Sequence, residues 1–475
     1  MKYSFIFTII FTVFFGACRN PFLSNKEKSA APESVNLLDS ILLRKKITGL
    51  TDYSSTNYFI YRGQPMGYQF ELFKKFAKYL NVSAELQVDD DLEASMQKLA
   101  DMRVDILAMG LTVTSERKQH MLFTRPLFFT RQVLVQRKPK GYKKMATADE
   151  IESHLIRNTI DLAGKTIHIQ KGTIYYKQLL NIENNIADSI HIVQDTIETE
   201  QLIAMVAKGK IGYTVADEVL AKVAAKIYPS IDVKMPISFH QKIAWAVRKD
   251  QKALLDTLNS WLSTFDKSLE ARLLYNKYFK NISSRRIAKS EYFSYTGNRL
   301  SPYDEIIKKA AVKLGWDWRM LASMIYQESQ FKPTVRSWVG AYGLMQLMPE
   351  TMQEFNVDTT SSPGAQIKAG IRLLRSFENQ LPGTITDSVE RIKFTLASYN
   401  GGLGHILDAR RLAAKNGKNP NKWSGNVDYF VLHLSEKKYY HDPVVRNGYM
   451  RGWETYQFVN EIFDRYQRYR TLINK

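Results

Sequence analysis

With 475 residues, 44% of them hydrophobic, the chain is long enough for two or three domains with substantial cores, and two is the better count. Its single cysteine, Cys18, excludes any intramolecular disulfide. The formal charge of +20 raises nucleic acid as a partner. Lys and Arg are, however, spread along the chain rather than gathered in one tract, so the charge reads as a solvated basic surface.

In chain order, the first segment is a short basic start, Met1-Lys2-Tyr3, followed by an apolar run from Phe5 to Phe15 and the small residues Gly16-Ala17 ahead of Cys18. The pattern resembles a bacterial lipoprotein signal peptide, residues 1–17, with Cys18 as the site of lipid attachment. The run is too short to span a bilayer comfortably as a permanent helix. The alternative is an uncleaved anchor, and either form puts the body outside the cytoplasm. Export removes nucleic acid from the partner list and leaves phospholipid head groups and cell-wall carboxylates as the anionic neighbours. Residues 18–40, rich in Ser, Lys, Glu, Pro and Ala, read as a lipidated tether. Arg19 lacks the acidic character that retains some lipoproteins at the inner membrane, which favours the outer membrane and a body facing the periplasm.

Residues 41–282 alternate short β-rich runs with amphipathic helices, an α/β organisation. Phe70, Leu72, Phe73, Phe76, Ala77 and Leu80 recur as a helical stripe, and Val104 to Met109 reads as a buried strand ending at Gly110. With GLTVTSERKQHMLFTRP after it, this order resembles the family 3 periplasmic solute-binding proteins, two-lobed folds that close around amino acids. The resemblance implies that Thr112 and Arg117 grip a ligand α-carboxylate, that Asp217 meets the ammonium, that Gly172 and Thr173 add contacts, and that Tyr58 and Phe59 supply an apolar lid. The chemistry suits each position, because arginine offers a planar fork of donors to a carboxylate and aspartate neutralises an ammonium. Leu127 departs from the tyrosine common after the proline, which leaves the side-chain specificity open. A static spacer that has lost its ligand is the plainer alternative to a sensor.

The polar stretch NISSRRIAKSEYFSYTGNRL interrupts both patterns, and residues 283–299 are expected to link the first domain to a second, mainly helical one at 300–475. There, Ile306, Ile307, Ala310, Ala311 and Leu314, then Leu321, Ala322, Met324 and Ile325, recur at helical spacing, so Glu328 falls where a helix meets a loop, with Pro333 helping to end the helix. Gly340 to Pro349, GAYGLMQLMP, then supplies backbone freedom, an apolar wall and one amide. The motif resembles the lysozyme-like catalytic domain of the soluble lytic transglycosylases, as do LASYNGG at 396–402 and ETYQFV at 454–459. GHILDARRL, KKYYHD and RGWET are most similar to the membrane-bound lytic murein transglycosylase F branch, and that resemblance covers nearly the whole mature chain.

The resemblance implies cleavage of the β-1,4 bond between N-acetylmuramic acid and N-acetylglucosamine in peptidoglycan strands. Glu328 acts as the acid, then as the base for the muramic acid's own C6 hydroxyl, and the product is a 1,6-anhydro sugar. By motif position, Ser337 and Gln346 bond the sugar, Met345 and Met348 shape the groove, Tyr399 and Asn400 lie beside the scissile bond, and Glu454 contacts substrate or caps its helix. Tyr399 is also expected to orient Glu328. Phe458 stands where a tyrosine is common. An amino acid or muropeptide effector is implied for the first domain. The reaction needs no cofactor, and no CxxC, HExxH or Walker-type glycine loop offers a metal or nucleotide motif. The alternatives are a solute-binding sensor with an inactive lysozyme-like module, and a peptidoglycan hydrolase.

Overall fold

The computed structural model describes residues 36–186, 188–280, 290–294 and 297–473; the expected signal peptide, the expected lipid-attachment site Cys18 and most of the expected tether lie outside them. The strands are β1 Lys46–Thr51, β2 Phe59–Tyr61, β3 Gln64–Met66, β4 Ser83–Val88, β5 Ile106–Thr112, β6 Met121–Phe123, β7 Phe128–Thr130, β8 Gln132–Arg137, β9 Thr166–Gln170, β10 His191–Asp195, β11 Tyr213–Asp217, β12 Ile231–Asp232 and β13 Gln241–Arg248. The first lobe is built on the sheet β4-β1-β5-β13-β6, with β7 also on β13. β1 runs parallel to β4 and β5. A strand set of this kind is covered on both faces, and β5 is buried along almost its whole length for that reason. The helix Tyr68–Tyr79 covers one face through Phe70, Leu72, Phe73, Phe76 and Ala77, the stripe that helical spacing implies.

The second lobe carries the sheet β10-β9-β11-β8-β12. Its Val133 and Val135 pack into one cluster and Leu134 into another, because successive strand residues face opposite sides. After this lobe the chain returns to the first, where β13 inserts antiparallel beside β5 with Ile243 opposite Thr112 and Val247 opposite Ile106. The two crossings lie side by side: Val133 bridges Pro236, and Gln132 Nε2 donates to Gln241 Oε1 at 2.8 Å.

The second domain is helical around one core that includes Leu321, Ile325, Leu344, Leu374, Phe394, Leu412 and Ile462. The central helix Trp318–Ser329 is flanked by Asp304–Leu314 and by the long C-terminal helix Gly452–Leu472, which also packs on Ser388–Gly401.

Two segment boundaries differ from the sequence reading. The tether ends earlier than residue 40, since Leu37–Leu43 is a helix with Ile41 fully buried. In the linker, residues 290–294 pack on the first domain: Phe293 is buried and bridges Tyr61, and Ser294 Oγ accepts from the Ile60 amide at 2.8 Å. The β2–β3 hairpin is also the joint between the domains. Its turn residue Gly63 has φ +76°, and a Cβ there would lie 2.6 Å from Phe331 and 2.8 Å from Tyr326 and the Tyr469 hydroxyl. That hydroxyl donates to the Gly63 carbonyl at 2.6 Å.

Candidate active site and interlobe cleft

The helix Trp318–Ser329 is capped at its start by Asp317, whose side chain accepts from the Arg319 amide at 2.9 Å. It stops at Gln330 (φ 52°), with Phe331 (φ 60°) next, so two left-handed residues rather than Pro333 end the helix. Glu328 therefore sits in the last turn, where the chain opens into the 333–348 loop. Burial alone pushes its carboxyl up to about 8, and no neighbouring charge contributes. The group is thus a neutral acid near neutral pH, with part of its side chain still accessible.

The wall opposite is held by buried polar contacts. Ser329 Oγ donates to the Leu344 carbonyl at 2.9 Å, tying the helix end to the loop. Gln366 Oε1 accepts from the Leu344 amide at 2.8 Å, and its Nε2 donates to the carbonyls of Pro333 and Ser361 at 3.2 and 3.1 Å. Gln366 escaped the sequence reading. Its signal was a glutamine on the apolar stripe formed with Gly370 and Leu374. Gly343 is required beside it: φ is +79°, and a Cβ would fall 2.4 Å from Gln366 Oε1.

Gln346 donates its amide to the Val335 and Gly343 carbonyls at 3.1 and 2.9 Å, which leaves its Oε1 as the end available to a ligand. Ser337 Oγ accepts from the Ala341 amide at 3.0 Å and keeps its own proton to donate. Met348 is exposed at the start of the helix Pro349–Glu354. Asn400 Oδ1 accepts from Thr455 Oγ1 at 2.7 Å, leaving its amide donors free.

Two expectations change, those for Met345 and Tyr399, and Glu454 makes the salt bridge that is one of its alternatives. Met345 is fully buried in the core, so its side chain does not shape the groove; its carbonyl accepts from the Tyr399 hydroxyl at 2.6 Å. Tyr399 therefore does not hold Glu328 by a hydrogen bond, although the two lie close enough that the Glu328 charge adds to the burial raising the Tyr399 phenol. Glu454 is exposed in the first turn of Gly452–Leu472 and pairs with Arg451 at 3.3 Å, a helix-start role.

A cavity of about 610 Å³ lies between the lobes of the first domain. Its lining follows the carboxyl ends of strands: Asp52 after β1, Asp89 and Asp90 after β4, Thr112 at the end of β5, Gly172 and Thr173 after β9, and Asp217 at the end of β11. Open α/β sheets place ligand crevices at such ends. Arg117 also lines it and donates to the Thr112 carbonyl at 3.0 Å. Burial pushes Asp217 up to about 7, opposed by Arg117. Tyr58 is a correction: with Phe59 it is buried in the core, packed edge-on against Phe70, and it forms no lid. Tyr53 and Asn57 line the cavity in its place. Asp52, Asp90, Glu198 and Glu200 also line it and were missed, because nothing in their spacing marks acids that meet only when the lobes approach.

The model of bacterial extracellular solute-binding proteins, family 3, matches residues 46–281, and that of the transglycosylase SLT domain matches residues 305–422. A solved ancestral amino acid-binding protein, described as a precursor of cyclohexadienyl dehydratase, is 24% identical with a TM-score of 0.44, covering 52% of this chain and 100% of that one. Proteins named membrane-bound lytic murein transglycosylase F from Desulfosudis oleivorans and Pseudomonas fluorescens are 33% and 31% identical, over 91% and 87% of this chain and 92% and 82% of theirs. Both domains, in this order and over this length, are matched, and the chain belongs to the membrane-bound lytic murein transglycosylase F family of peptidoglycan lytic transglycosylases.

Proposed function

We propose that this transglycosylase cleaves the bond between N-acetylmuramic acid and N-acetylglucosamine without water, leaving 1,6-anhydro ends. The supporting observation is the solitary carboxyl of Glu328, neutral by burial, with no second carboxylate close enough to shift it among the described residues. A hydrolase of the common two-carboxylate type needs a partner to activate water or to attack the sugar. A single acid suffices when the nucleophile is the substrate's own hydroxyl. Glu328 gives its proton to the bridging oxygen, and the C6 hydroxyl attacks the anomeric carbon and returns a proton to Glu328. Tethering of that hydroxyl has already removed its translational freedom. Gln346 Oε1, the Ser337 hydroxyl and the Asn400 amide hold the sugars, and Met348 walls the groove.

The first domain, in this reading, binds an amino acid or muropeptide between Arg117, Thr112, Thr173 and Asp217 and thereby biases the enzyme. The β2–β3 hairpin supports the coupling, because it belongs to the first lobe and packs on Phe331, three residues beyond Glu328. Ligand closure acts through it only if the open and closed lobes press on it differently. Cys18 carries the lipid that holds the enzyme to the membrane, at the outer membrane in preference to the inner, facing the periplasm.

Digestion of purified cell wall followed by mass spectrometry tests the chemistry. Products lighter by one water than the reducing muropeptides are expected. Reducing ends would make the enzyme a hydrolase, and uncut wall with intact ligand binding would leave a sensor with an inactive module.

A further inference from the structure

The interlobe cavity is far more acidic than a zwitterion requires. Among the described residues, nine carboxyl side chains line it against two cations, Arg117 and Lys171. One acid, Asp217, answers an α-ammonium, and Arg117 answers an α-carboxylate. The surplus is concentrated elsewhere. Asp52 accepts the Asn57 amide, at 2.9 and 2.8 Å; Asp90 accepts the Tyr53 amide at 2.7 Å and hydrogen-bonds the Glu198 side chain; and Glu200 accepts the amide and hydroxyl of Ser55, both at 2.9 Å. None of these three has a cationic partner within ion-pair distance among the described residues.

Carboxylates drawn out of water without a cation are costly, and burial raises all three, Glu200 to about 7. A second observation points to a ligand: Asp217 Oδ1 is buried at the cavity wall with no hydrogen-bond partner among the described residues. Tyr175 lies within electrostatic reach of both Asp217 and Asp52, so the ammonium subsite and the surplus acids face the same space. No three of these acids converge as a metal site would require among the described residues. The negative charge is spread along the cavity, which suits an extended organic cation better than a compact ion.

We propose that this cleft selects an amino acid, free or within a short peptide, whose side chain carries a second positive charge. The zwitterionic head lies between Arg117 and Asp217, and the side-chain ammonium or guanidinium lies among Asp52, Asp90 and Glu200. The proposal rests on the effector reading above and adds the charge of the ligand. Asp52 and Asp90 come from the first lobe and Glu200 from the second, so the side-chain cation itself bridges the lobes.

Calorimetry on the full mature chain with matched ligand pairs tests the assignment without any variant. L-arginine is compared with its neutral isostere L-citrulline, L-lysine with L-norleucine, and alanyl-lysine with alanyl-norleucine; the last pair distinguishes a peptide source from a free amino acid. The cationic member of at least one pair is expected to bind about 10- to 100-fold more tightly. Asp52→Asn and Glu200→Gln are expected to shrink that ratio while leaving the neutral ligand's affinity within about threefold. Equal affinities within every pair, or tighter binding of L-glutamate or L-glutamine, would overturn the charge assignment and leave the effector reading standing. No heat from any amino acid or peptide would overturn both.

Discussion

The catalytic groove and the interlobe cleft both rest on carboxyls that burial has pushed toward neutral pH, and they differ in company. Glu328 stands alone among the described residues, with no cation to ionise it and no second acid to share its proton, so burial alone keeps it protonated near neutral pH. Asp52, Asp90, Glu200 and Asp217 stand together around a cavity, so their shared field favours the arrival of positive charge. Burial sets the titration range in both regions. The number and spacing of neighbours decide whether the result is acid catalysis or cation binding.

The sharpest way to break this comparison is Glu328→Gln, which keeps the shape and removes the proton. Release of anhydromuropeptides is expected to fall about 100- to 10,000-fold, read by chromatography of digests, with circular dichroism and cleft binding unchanged. Retained activity would show that the groove does not depend on its lone acid. Next in size, Arg117→Ala is expected to weaken effector binding about 10- to 100-fold by calorimetry while basal cleavage persists. A parallel loss of basal cleavage would mean that the two regions are not separable.

Gln366→Ala leaves the Leu344 amide buried without its acceptor and is expected to cost about 1–3 kcal/mol in denaturant unfolding. It also loosens the loop that carries Gln346. An unchanged midpoint would argue that water replaces the glutamine. The pH dependence of stability sharpens the view of Glu328 itself. Its unfolded carboxyl ionises near 4.5 and the folded one near 8, so the folded protein holds more protons between those values and loses stability as pH rises through them. Glu328→Gln removes that loss. Its advantage over the parent is expected to grow from near zero at pH 4 to as much as about 5 kcal/mol above pH 8, and a flat difference would mean that the acid is not held neutral. Smallest is Tyr469→Phe, expected to cost about 1 kcal/mol through the lost bond to Gly63. Its informative readout is any change in how ligand alters cleavage rate, since that contact joins the two regions.

Much of this was legible without coordinates. The helical stripe of Tyr68–Tyr79 and the position of Glu328 at a helix end follow from local periodicity, which short-range geometry enforces, while Thr112, Arg117 and Asp217 were singled out by resemblance to the solute-binding family and all three line the interlobe cavity. The errors share one cause. Met345 and Tyr58 sit in motifs that carry function, yet their side chains turn into the core, because which face of a loop is inward depends on what packs behind it. The acid cluster was invisible because Asp52, Asp90 and Glu200 belong to three separate segments in two lobes, two loops and a helix start. The chain alone thus determined the order of domains and, through motif resemblance, the candidate acid Glu328. Tertiary structure decided the rest: that Glu328 is largely drawn out of water with no charged neighbour shifting it among the described residues, that Gln366 holds the adjoining loop, and that scattered acids converge on one cavity. Dehydration and proximity are properties of packing between segments distant in sequence, and no local pattern encodes them.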